Sequence, residues 1–64
     1  MVSAVARAEG RLGRKVPEEL LAEAERLTAQ KIAVKRLPEG YAELLLEDEI
    51  LDAYTRAVIN GRCA

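Results

Sequence analysis

The sequence predicts a small α+β fold, an α-β-β-α unit with a central β-hairpin that oligomerisation completes; an all-α helical hairpin is the alternative. Three observations lead there. Pro38-Glu39-Gly40 has the make-up of a tight turn, proline setting φ at its first central position and glycine supplying a positive φ to close it. Folding residues 31–47 about that turn sets Leu37 against Tyr41 and carries the pairing outward to Lys31 against Glu47. Lys35 then faces Glu43, and Ile32, Val34, Leu44 and Leu46 share one face. The helical period also breaks here. A helix continued past Gln30 would push Lys31 and Lys35 into its apolar stripe, and one begun before Asp48 would do the same with Glu43 and Glu47.

Residues 1–15 read as a basic, fraying N-terminal arm, with Arg7, Arg11, Arg14 and Lys15 against Glu9 alone. Val2, Val5 and Leu12 hint at a weak helix, which Gly10 and Gly13 oppose. Residues 16–64 make one small domain. A helix is expected over 17–30: Pro17 suits the first helical position, and Glu18 and Glu19 complement the positive end of the dipole. Leu20, Leu21, Ala24, Leu27 and Thr28 gather on one of its faces. After the hairpin, Asp48 reads as the N-cap of a second helix whose stripe is Ile50, Leu51, Tyr54, Ala57 and Val58, with Asn60-Gly61 as its stop. One internal echo carries the all-α alternative. Arg14-Lys15-Val16-Pro17-Glu18 recurs as Lys35-Arg36-Leu37-Pro38-Glu39, and a true repeat would make Pro38 begin a helix, giving a hairpin able to dimerise into a four-helix bundle.

Composition explains the expectation of an oligomer. Half of the 64 residues are hydrophobic, yet there is no Trp or Phe and only two Tyr, so Leu, Ile and Val must carry a core that is marginal at this length. A net charge of −1 gives no global pull toward nucleic acid or anionic membrane. The longest run of large apolar residues is Leu44-Leu45-Leu46, far short of a membrane span. The N-terminus lacks the long apolar stretch of a signal peptide, and Cys63, the sole cysteine, cannot form an internal disulfide, so a cytoplasmic location is expected. Gln30 and Asn60 are the only side-chain amides, a depletion that fits a thermophilic origin or a GC-rich genome equally.

Chemistry is sparse. The chain has no histidine, so Cys63 lacks the usual orienting base and reads as an inert thiol beside Arg62. Glu47, Asp48, Glu49 and Asp52 could offer carboxylates to a divalent cation, but no glycine-containing loop of alternating oxygen ligands accompanies them. No catalytic residue, metal ligand or cofactor site is expected, and the chain is not read as an enzyme. Instead, Leu20, Leu27, Ile32, Val34, Leu44, Leu46, Leu51, Tyr54 and Val58 are candidates for an oligomer or partner interface. Arg7, Arg11, Arg14, Lys15, Lys31, Lys35 and Arg36 are candidates for nucleic-acid contact. The expected function is a small, non-catalytic intracellular protein-protein interaction module or regulatory subunit that acts as an oligomer.

The segment 15–27, KVPEELLAEAERL, resembles the strand-end and first helix of ribbon-helix-helix antitoxins. That resemblance implies a dimeric DNA-binding repressor that also neutralises a partner toxin. Arg11-Leu12-Gly13-Arg14 does not alternate as the family's strand does, and no capped second helix follows promptly, so membership is not assigned. A nucleic-acid-binding regulator of antitoxin type is the alternative function.

Overall fold

A computed structural model describes residues 3–62 and shows three helices, with no strand among the described residues. Helix α1 spans Ala4–Leu12, α2 Glu18–Lys35 and α3 Ala42–Ile59, and a 3₁₀ turn at Glu39–Tyr41 leads into α3. The expected β-hairpin is therefore corrected to an α-helical hairpin. The segment 31–35 completes α2, and 42–47 opens α3. Asp48 is accordingly no N-cap; it lies inside α3. The Pro17/Pro38 echo is the truer signal: Pro17 is the N-cap of α2, and Pro38 directly precedes the 3₁₀ turn that leads into α3.

Each helix has a local physical cause. In α1, the Ser3 hydroxyl accepts from the Ala6 N–H, and Gly13, at φ 72°, closes the far end with its N–H on the Glu9 carbonyl. Ala4 and Ala8 then let the short helix approach closely, and its part-buried Val5 and Leu12 pack against the core. Glu9 turns the chain out of α1 by accepting from the Val16 N–H at 2.9 Å. Helix α2 ends at Arg36, a non-glycine residue in the left-handed region at φ 53°, whose N–H bonds the Ile32 carbonyl. Helix α3 ends in a Schellman arrangement: Gly61 is at φ 72° and the Arg62 N–H bonds the Ala57 carbonyl at 2.8 Å.

The polar residues that break the apolar period are accommodated by partners. Lys31 donates to Oε1 of Glu49 across the α2–α3 interface, and Glu49 is 96% removed from solvent, being only 4% exposed. Its Oε2 is buried with no hydrogen-bond partner among the described residues, so Lys31 is the charge that makes the burial tolerable. Glu43 accepts from the Ala4 N–H at 3.0 Å, and Glu47 lies 3.9 Å from Arg11. Three of the residues that argued against continuous helices thus hold the helices together.

Helix α3 is the middle of the molecule. Both α1 and α2 pack on it and scarcely touch one another. The contacts Ala4–Glu43, Arg11–Glu47 and Arg14–Tyr54 rise in step along both segments, so α1 runs parallel to α3. The tight turn makes α2 antiparallel to it. The result is a slab with principal extents of 35 × 26 × 15 Å. Its 11.7 Å radius of gyration exceeds the roughly 10.5 Å of a rounder domain of this length. The core is thin: Ala8, Val16, Leu20, Ala24, Ile50, Tyr54 and Ala57, with Ile50 the only large side chain among the described residues that is sealed completely.

Two predictions follow from these contacts. Lys31→Ala should lower unfolding stability by about 3 kcal/mol by stranding a buried carboxylate, whereas Glu49→Met should be neutral or stabilising, since the half-exposed lysine can turn to water. Urea titrations of both variants check the asymmetry; equal losses would refute it. Arg36→Gly should raise the unfolding free energy by roughly 0.5–1 kcal/mol, the relief of left-handed strain exceeding the added unfolded-state entropy. Thermal melts measure it, and a lower midpoint would contradict it.

Candidate functional site

Helix α3 is encircled by five distinct environments. Setting Ala42 at zero and turning about 100° per residue, Glu43, Tyr54 and Glu47 fall at roughly 100–140°. This is the side where α1 docks, as the contacts to Ala4, Arg14 and Arg11 show. Leu44, Leu51 and Val58, seven residues apart, fall at roughly 160–200°, and Asp48 and Asp52 at roughly 240–280°. Glu49, at roughly 340°, faces α2 through Lys31. The remaining arc carries Ile50, Ala53 and Ala57 into the core.

Because the slab is one helix thick beside α3, the arc of Leu44, Leu51 and Val58 has no covering layer. Leu44 is 55% exposed and Val58 43%, while Leu51 between them is half-buried, with part of its side chain on the core. Arg7 and Arg11, one turn apart on α1, border the stripe on one edge, and both are exposed. Asp48 borders it on the other, exposed, with Asp52 beside it holding Arg56 at 2.5 Å. The edge toward α1 is therefore of mixed charge, since Glu43 and Glu47 lie there with Arg11, and the other edge carries Asp48.

The sequence candidates for an interface divide under this geometry. Leu20 and Tyr54 are inside the core, and the Tyr54 hydroxyl accepts from Nη1 of Arg14 at 3.1 Å. Leu27 is half-buried. Ile32 and Leu46 line a shallow apolar groove of about 300 Å³ between α2 and the start of α3, where Glu25 and Glu43 also border it. Val34 is 75% exposed near the end of α2, away from the stripe. Ile59, 76% exposed, and Tyr41, read from sequence as a turn residue against Leu37, are not among the interface candidates. The heptad spacing of 44, 51 and 58 was readable, but dividing those residues between a strand and a helix hid it.

The basic candidates do not converge on one surface. Arg7, Arg11, Arg14 and Lys15 follow α1 and its exit, whereas Lys31, Lys35 and Arg36 belong to the far end of α2. Lys31 is committed to Glu49, Arg11 approaches Glu47, and Arg14 bonds Tyr54. An open depression of about 320 Å³ beside Lys31 collects Asp48, Glu49, Asp52 and Thr55. Among the described residues no group of three or more histidine, cysteine or acidic side chains is placed to hold a metal ion. Cys63 lies outside the described residues, as does Val2. No helix of the described residues is long and apolar enough to cross a membrane. No family model, curated protein or solved structure matches this chain.

Proposed function

We propose that this chain is a non-catalytic protein-interaction module that works as an oligomer through the outer face of α3. The observation that carries this reading is the bare apolar stripe of Leu44, Leu51 and Val58 on the helix that organises the fold. A middle helix with an exposed heptad stripe is a helix lacking a layer, and covering it enlarges a core that has one fully sealed large side chain. Scattered, partly committed basic residues favour this reading over a nucleic-acid surface.

Light scattering on a sizing column tests it. The wild-type chain should run as a discrete oligomer of its 7.0 kDa subunit, and its thermal midpoint should rise with protein concentration. The double variant Leu44→Glu, Val58→Glu, at two exposed positions, should fall to subunit mass or lose that concentration dependence. A wild-type chain that scatters as a monomer with a concentration-independent midpoint would overturn the oligomer, and an unchanged mass in the double variant would move the interface elsewhere.

A further inference from the structure

We draw no further inference here: the strongest candidate, the exposed apolar stripe of Leu44, Leu51 and Val58 on the outer face of α3, has flanks of mixed charge, and nothing in the structure shows what covers it.

Discussion

The contact between Lys31 and the buried Glu49 is the constraint on which the helical hairpin depends. It crosses the α2–α3 interface, and Glu49 is sealed there with one oxygen on the half-exposed Lys31 ammonium and the other without a partner among the described residues. A buried ion pair of this kind contributes little net stability over an apolar pair of equal volume, but it is costly to break on one side. Its larger effect is on register. A slip of α2 along α3 would separate the two charges and leave a carboxylate in the core, so the pair selects one alignment of two helices whose other facing residues, such as Ala24, Thr28 and Ala53, are small and weakly discriminating.

The same contact explains what could and could not be read from the chain. Helix starts and stops were legible because they are local: Pro17 with Glu18 and Glu19 does precede α2, and Asn60-Gly61 does end α3. The middle was misread because a charged residue in an apolar stripe looks like the end of a helix until its partner is known, and Glu49 is distant in sequence from Lys31. Cross-strand Lys–Glu matching could not discriminate either. A β-hairpin and a helical hairpin are both antiparallel about the turn at 38–40, so opposite charges nearly equidistant from it meet in both, Lys31 reaching Glu49 here instead of Glu47. Intrinsic propensity held the better information, since 42–51 is mostly Leu, Glu and Ala. The basic arm was legible only in part. Ser3 and Gly13 cap α1 well enough to offset Gly10, but its docking through Ala4 on Glu43 is a contact 39 residues distant.

A slab is the direct consequence of a chain without Trp or Phe. Large aromatics let three helices close around a wide common core; here alanine at 4, 8, 24, 53 and 57 lets α1 and α2 approach α3 closely, and Ala8, Leu20 and Ala24 share a small core with Ile50. Close approach supplies dispersion contact and little apolar area, so the isolated unit is marginal by the measure that governs small domains. What the core lacks is present on the outer arc of α3, where Leu44 and Val58 remain in water at some cost. Thin core and bare stripe share one cause, the central position of α3.

The stripe by itself has no direction. Leucine and valine at positions 44, 51 and 58 stack as well head to tail as head to head, the spacing being symmetric about Leu51. The flanks of the stripe are of mixed charge: Glu43 and Glu47 lie on the side of α1, the latter with Arg11, and the helical turn places Asp48 on the other. The short first helix closes the core through Ala4 and Ala8, and its contacts with Glu43 and Glu47 fix it along α3.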